Sequence, residues 1–362
     1  MRAQTLDQDP TTLLADAVEA LDNRLRGPLL QEGDAGYDEA RSVWNEMIDK
    51  RPAAIARCTG AADVTAAVRF ARDHDLLLSI HGGGHNVAGD AVCEGGVMID
   101  LSPMNRVRVD PEARVARVGG GATWGAVDHE TQAFGLATTG GIVSTTGVAG
   151  LTLGGGLGYL ARKHGLAHDN LRSMNVVTAD GEWVRASEDE NPELFWGMRG
   201  GGGNLGIATS FEFDLHAVGP EVLAGRLLYP YEAAPAVLRA YRDFMAEAPN
   251  EVQCYAAFVQ GSPVLGLPES VHGKTLFSMG PFYAGEIETG REVLRPLREA
   301  VDPIEDTVSP VPYVAHQQSL DTLYQAGHRD YWKSNFYTEL PGDLIETVVE
   351  HVDPLPSPYT TV

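Results

Sequence analysis

The sequence predicts an α+β protein in two domains, a glycine-rich first domain of α/β units and a second, α+β domain. Three observations predict it. A strand–helix–strand pattern over residues 53–80 runs directly into a glycine loop, which is the plan of an α/β unit. Glycines cluster at 82–84, 147–158 and 200–206, and the clusters stop before residue 219. Ala217-Val218-Gly219-Pro220 then punctuates the chain. With 362 residues, 43% of them hydrophobic, there is apolar material for two cores. The boundaries read as 1–36, a helical lead-in; 37–219, the first domain; and 220–362, the second.

Each element has its own signal. Leu13, Leu14, Val18, Leu21 and Leu25 are spaced for a helix over 11–25. A polar loop leads to a short helix through Trp44. Residues 53–56 read as a strand broken at Thr59-Gly60, 61–74 as a helix with Val64, Val68 and Phe70 inward, and 76–80 as the strand that delivers the glycines. Residues 97–101 form a further strand. The stretches 107–109 and 115–118 alternate around Asp110-Pro111-Glu112 as a hairpin. Residues 123–134 read as a helix with Thr123 as N-cap. A second hairpin spans 174–185, followed by a helix over 191–198 and a strand over 207–215. In the second domain, 231–246 and 288–300 read as helices, the latter weakened by Gly290 and Pro296. Residues 252–259, 275–283 and 331–340 read as strands.

Charge narrows the partners. Twenty-seven basic and 50 acidic residues leave a net charge of −23, which argues against nucleic acid or an anionic membrane. The only lysines are Lys50, Lys163, Lys274 and Lys333. That balance suits a halophile-like acidic surface, an expectation that full activity and stability in dilute buffer would sink. Cys58, Cys93 and Cys254 are widely spaced and form no CxxC pair, so neither a disulfide framework nor a zinc ribbon is indicated. The polar N-terminus and the lack of a membrane-length apolar run make cytoplasmic the expected location.

The glycine stretches carry the chemistry. Consecutive glycines let N–H groups approach an anion with no Cβ in the way. One cluster alone reads best as tight turns. Three in one domain, the first ending on His85, point to an extended dinucleotide-like ligand. Gly201 to Gly206 formally fits G-x-G-x-x-G, but these glycines follow a helix and open a strand, the reverse of a Rossmann turn. Gly273-Lys274-Thr275 lacks the upstream P-loop glycine, that position being Pro268. His81/His85 and His164/His168 have HxxxH spacing, yet three glycines disfavour a helix at 82–84 and no carboxylate lies between the second pair, so no metal site is expected.

The first domain resembles the FAD-linked oxidases with the PCMH-type (vanillyl-alcohol-oxidase) FAD fold, in the berberine-bridge-enzyme-like branch and close to its 6-hydroxy-D-nicotine-oxidase-like members. The resemblance runs from about Tyr37 to Gly219. It rests on Ile80-His81-Gly82-Gly83-Gly84-His85-Asn86, VMIDLS at 97–102, GGGATW at 119–124, TTGVAGLTLGGGLG at 145–158, KHGLAHDN at 163–170, and LFWGMRG at 194–200 with Gly206. The second domain matches chiefly at YWKS, 331–334. The resemblance implies a PCMH-type FAD-binding domain of two α/β subdomains, then an α+β substrate (cap) domain that looks C-terminally truncated, because the family's returning segment is missing.

By the same resemblance, Gly82, Gly83, Gly84, Asn86 and Gly89 cradle FAD, and His85 bonds to the flavin 8α-methyl. His81, where the family often has arginine, ranks second as the anchor. Thr146, Gly147, Gly150, Leu151, Gly154, Gly155, Gly156 and Gly158 line the pyrophosphate and ribityl side. Asp169, Gly206 and Ile207 complete the contacts, Ile207 on the adenine side. Val143 stands where many relatives have a second, cysteinyl link, so a single covalent bond is expected. Such a link retains the cofactor and raises its potential, which favours hydride abstraction from an alcohol or amine carbon. A tyrosine that often follows the glycine run is Leu157 here, with Tyr159 nearby. Tyr331, Lys333, Asn335 and Tyr337 would share one strand face, so Tyr331 and Lys333 are the candidate catalytic groups.

The expected function is an FAD-dependent oxidase that takes hydride from a CH–OH or CH–NH group of a small molecule to flavin N5, with O2 as acceptor. Alternatives are a dehydrogenase using another acceptor, separable by the rate of reoxidation in air, and an inactive flavin-binding remnant, which would hold flavin that no substrate bleaches. A zinc hydrolase would require stoichiometric metal and a colourless protein. Oligomeric state stays open, a homo-oligomer included.

Overall fold

A computed structural model describes residues 1–362. The chain divides into two compact units: Met1–Gly158, Gly165–His216 and Gln325–Trp332 in the first; Tyr159–His164, Ala217–Tyr324 and Lys333–Val362 in the second.

The first unit holds two main sheets. In one, Ala54–Arg57 and Leu78–His81 flank Val97–Asp100 in parallel, with Leu29–Leu30 antiparallel at the edge. All four residues of Val97–Asp100 are buried, as a parallel strand covered on both faces requires. Helix Ala61–Asp73 joins the flanking strands and packs Val64, Ala67 and Val68 on Ala56, Ile99 and Leu101. The second sheet is antiparallel, in the order Trp183–Ser187, Leu171–Val177, Ile207–Asp214, Val115–Gly119, Val107–Asp110. Helices Trp124–Gln132, Val148–Leu153 and Pro192–Gly201 contribute Trp124, Leu153, Phe195 and Met198 to its core with Phe211 and Phe213. The N-terminal stretch pairs Arg2–Gln4 with Pro10–Thr12, then sets Val18 and Leu21 of helix Ala15–Asp22 against Phe70, Leu76 and Val97.

In the second unit, Thr275–Tyr283 is the central strand. It pairs along its full length with Val252–Gln260, and on its other side with Leu227–Pro230 and Glu221–Ala224. Helices Ala234–Glu247, Ile287–Glu299 and Gly342–Val352 bury Val237, Leu294, Leu297 and Ile345 against Leu223, Tyr229, Phe258 and Phe277. Glu286 caps the second of these helices by accepting from the N–H groups of Glu288 and Thr289, which lets it form despite Gly290 and Pro296.

Four sequence-based expectations change. The helix over 11–25 shortens to Ala15–Asp22, because Thr11 and Thr12 pair as a strand instead. The helix through Trp44 stops at Arg41, where Ser42 turns extended and places Trp44 in a loop. Thr123 holds the N-cap position, yet its side chain makes no cap hydrogen bond. Most consequentially, no strand forms over 331–340. Alternation makes a strand only where a neighbour completes the hydrogen-bond ladder, and none pairs here. The shared face of Tyr331, Lys333, Asn335 and Tyr337 therefore does not exist. Tyr331, Phe336 and Tyr337 are exposed. No helix is long and apolar enough to cross a membrane.

Candidate cofactor site

The site is built where backbones touch. Strand Leu78–His81 ends, and the chain continues through Gly82, Gly83 and Gly84 against the loop that carries Gly147. A Cβ on Gly83 would lie 2.4 Å from the Gly147 nitrogen, and one on Gly147 would lie 2.5 Å from the Gly83 nitrogen. Only hydrogen fits at either position. Gly82 faces the Gly120 carbonyl at 3.4 Å from where its Cβ would be, and Gly120 in turn abuts the Ala208 carbonyl beside Ile207. Three glycine-bearing segments and the start of strand Ile207–Asp214 thus form one continuous backbone surface. The N–H groups of Gly82, Gly83 and Gly84 are taken up by no strand ladder or turn, so the loop keeps donors for an anion.

His85 closes the loop. It is half-buried, with Nε2 3.0 Å from Thr145 Oγ1 and Nδ1 3.5 Å from Thr146 Oγ1. Trp44 stacks on the imidazole at 5.5 Å between centroids and 21° between planes. Asn86 accepts from the Asp90 N–H at 3.0 Å and turns the chain toward Gly89, which is buried with φ +80°.

Beneath the loop lies a buried carboxylate. His81 Nδ1 is 3.4 Å from Asp100 Oδ1, at the long end of hydrogen-bond range. Asp100 also accepts from Arg57 Nε at 2.9 Å, from the Ser102 N–H at 2.8 Å and from Ser102 Oγ at 2.9 Å. Burial pushes its carboxyl up, but His81 and the Ser102 hydrogen bonds outweigh that and hold it below the ordinary range. The other edge of the His81 ring lies against Gly84, with Nε2 2.8 Å from where a Cβ would stand there, so His81 supports the loop directly.

The remaining predicted contacts separate into groups. Thr146 and Gly147 meet the first loop directly. Gly150 and Leu151 sit in helix Val148–Leu153, Gly150 exposed with open space beside it. Gly154 ends that helix; Gly155 and Gly156 take positive φ and accept from the N–H groups of His168 and Ala167. Asp169 follows, its Oδ2 accepting from the Leu166 N–H at 2.9 Å. Gly158 presses on the Gly140 carbonyl, a close approach with no room for a side chain. Gly206 precedes buried Ile207, which opens its strand opposite Val177. Tyr331 and Lys333 are both exposed and lie two positions apart on the stretch that forms no strand. Val143 is buried, Leu157 exposed, and Tyr159 buried with its phenol pushed up by burial.

Trp44, Thr145 and Asp100 join the candidate site, and spacing alone does not single them out. Trp44 reaches His85 from 41 positions away, and only the fold brings the two together. No group of three or more His, Cys, Asp or Glu is placed to hold a metal.

A glycine cradle whose contacts forbid side chains, uncommitted N–H groups and an adjacent histidine are the features a pyrophosphate-bearing flavin needs, so the residues fit FAD. Comparison with known proteins agrees. Residues 52–187 match the FAD binding domain family. The chain is 38% identical over 248 residues to (R)-6-hydroxynicotine oxidase of Paenarthrobacter nicotinovorans, covering 68% of this chain and 53% of that protein. It is 30% identical over 330 residues to an FAD-linked oxidoreductase of Dictyostelium discoideum, covering 90% of this chain and 69% of that one. Among solved structures it is similar to a xylooligosaccharide oxidase of Myceliophthora thermophila in complex with xylobiose, with a TM-score of 0.77, 26% identity, and 93% and 72% coverage of the two chains. A berberine-bridge-enzyme-like protein of Physcomitrella patens shares the fold, with a TM-score of 0.79 at 20% identity over 94% of this chain and 74% of that one. The chain thus spans about half the length of the nicotine oxidase and about two thirds of the Dictyostelium protein. On its residues, its fold and these relatives, the chain belongs to the FAD-linked oxidoreductases with a PCMH-type FAD-binding domain.

Proposed function

We propose that this chain binds FAD through a single covalent link to His85 and oxidises a CH–OH or CH–NH group of a small molecule, with O2 as the electron acceptor. The observation that carries the reading is the Gly83–Gly147 contact ending on a histidine held between Thr145, Thr146 and Trp44. Bound FAD supplies the hydride acceptor. The protein's share is to hold the pyrophosphate on the loop N–H groups, fix the ring through His85, and place a substrate C–H beside it. The oxidase names of relatives acting on a hydroxynicotine and on a xylooligosaccharide support a small molecule with an oxidisable C–N or C–O carbon. Val143 at the second-link position supports one attachment rather than two. Tyr331, next in sequence to the Trp332 that edges Trp44, is the favoured candidate for taking the substrate proton, with Lys333 second.

The test is acid precipitation of the purified chain. A yellow pellet is expected, and His85→Ala should move the colour to the supernatant while His81→Ala leaves it in the pellet. A colourless native protein, or colour that stays in the pellet with His85→Ala, would overturn the assignment.

A further inference from the structure

Trp44 and Asn45 sit at a joint between the glycine loop and a distant piece of chain. Trp44 is 5% exposed and Asn45 2%. The Trp44 N–H donates to the Gly84 carbonyl at 3.0 Å, and its carbonyl accepts from the Gly327 N–H at 3.2 Å. Its indole stacks on His85, and Trp332 meets it edge-on at 5.9 Å and 73°. Asn45 bridges the same two segments. Its Nδ2 donates to the Val87 carbonyl at 3.0 Å and the Asp330 carbonyl at 2.9 Å, while its Oδ1 accepts from the N–H groups of Met47 and Asp330, each at 3.1 Å. Both donors and both acceptor positions of a buried amide are therefore used. The Glu46 N–H adds a bond to the His328 carbonyl at 2.9 Å. Residues 325–332 belong to the first unit through this joint, although they lie more than 100 residues beyond its other segments.

We infer that Trp44 and Asn45 are positioning residues for His85. Trp44 sets the plane of the imidazole, Thr145 and Thr146 engage its two nitrogens, and Asn45 ties the loop exit at Val87 to the strap at Asp330. A half-buried histidine at a loop end has several rotamers. A stacked indole selects one, and the ring is then held before any ligand arrives. The consequence for function rests on the His85 attachment reading: a ring that tumbles presents its nitrogen to the flavin for a smaller share of the time.

The test uses the full chain as purified, with Trp44→Ala, Trp44→Phe, Asn45→Asp and His85→Ala. Asn45→Asp keeps the shape but removes the N–H donors and sets a charge against the Val87 and Asp330 carbonyls. Two quantities are read: the imidazole proton shifts of His85 by NMR with labelled histidine, assigned by the loss of signal in His85→Ala, and the acid-stable share of total flavin. Stacking should move the His85 protons upfield in the wild type. Trp44→Ala should return them to ordinary positions and lower the acid-stable share on the order of tenfold, inside the ~10²-fold loss of rate that a small misplacement of a reacting group can cause. Trp44→Phe should keep most of both, and Asn45→Asp should lower the share. A purely structural role would lower total flavin and thermal midpoint together and leave the share unchanged, which would overturn the inference. So would His85 shifts that are the same in Trp44→Ala and the wild type. If the wild type shows the Trp44-dependent shift but no acid-stable flavin, the positioning stands and the attachment reading falls.

Discussion

At Gly83 and Gly147 two backbones touch, whereas at Gly201, Gly202 and Gly203 nothing lies within 4 Å of where a Cβ would stand. The sequence writes both regions as runs of glycine. In the first region glycine is needed because another chain segment occupies the side-chain space. In the last it is needed, where it is needed at all, by the backbone angle: Gly202 has φ +79° and ψ −168°. A contact-driven glycine is part of a built surface, and an angle-driven one is part of a turn. The first kind marks the candidate cofactor loop.

The largest effect should come from filling the contact. Gly147→Ala places a methyl 2.5 Å from the Gly83 nitrogen and 2.8 Å from its Cα, and neither is the end of a flexible side chain. One loop must move, which costs about 3 kcal/mol, the upper range for overpacking. The movement separates the cradle, so flavin per chain should fall with it. Urea unfolding and flavin absorbance check both. A Gly147→Ala protein with full flavin and unchanged stability would break the contrast between the regions.

Much of the fold was legible in the sequence because its signals are local. Helix Ala61–Asp73 and strand Thr275–Tyr283 follow directly from apolar spacing and alternation. The cradle was legible as three glycine clusters, though not the fact that Gly83 meets Gly147 across 64 positions. Stacking of Trp44 on His85 and the use of Asp100 beneath the loop are tertiary facts with no periodic trace. The strand over 331–340 failed for the converse reason. Its aromatic residues suit extended chain, but a strand is defined by its neighbour, and none pairs with it. Short strands such as Glu221–Ala224 and Ser309–Pro312 leave no readable trace in the sequence, because four residues beside prolines carry little pattern.

Asp100 sharpens the same comparison from below the loop. Asp100→Asn removes the charge that faces His81 and Arg57 and should cost about 2 kcal/mol, less than the ~3–5 of a fully enclosed pair because Arg57 is partly solvated. The carboxyl's folded value lies below its ordinary one. Its ionised form is therefore favoured by the fold, and its contribution is complete above the unfolded pKa of about 3.9. It is lost as pH falls through the lower folded value. The gap between wild type and Asp100→Asn should be complete at about pH 5 and close in more acid solution. A gap that widens below about pH 5 would show that the carboxyl is not held ionised.

The smallest effects should distinguish neighbours within the open region. Gly202→Ala meets no atom, so any penalty is conformational. Its backbone angles lie where side chains are strained, and about 1 kcal/mol is expected, the low end of the ~1–3 for such positions because the surrounding loop is free to relax. Gly203→Ala also meets no atom, and Gly203 has no positive φ and begins the short turn Gly203–Leu205. There the methyl restricts the unfolded chain more than the folded one, so stability should rise by about 0.5 kcal/mol. Thermal unfolding of the two variants should therefore shift in opposite directions from the wild type. If both shifted down by several degrees, the region would be as tightly constrained as Gly147, and glycine at 201–203 would have to be explained by contact after all.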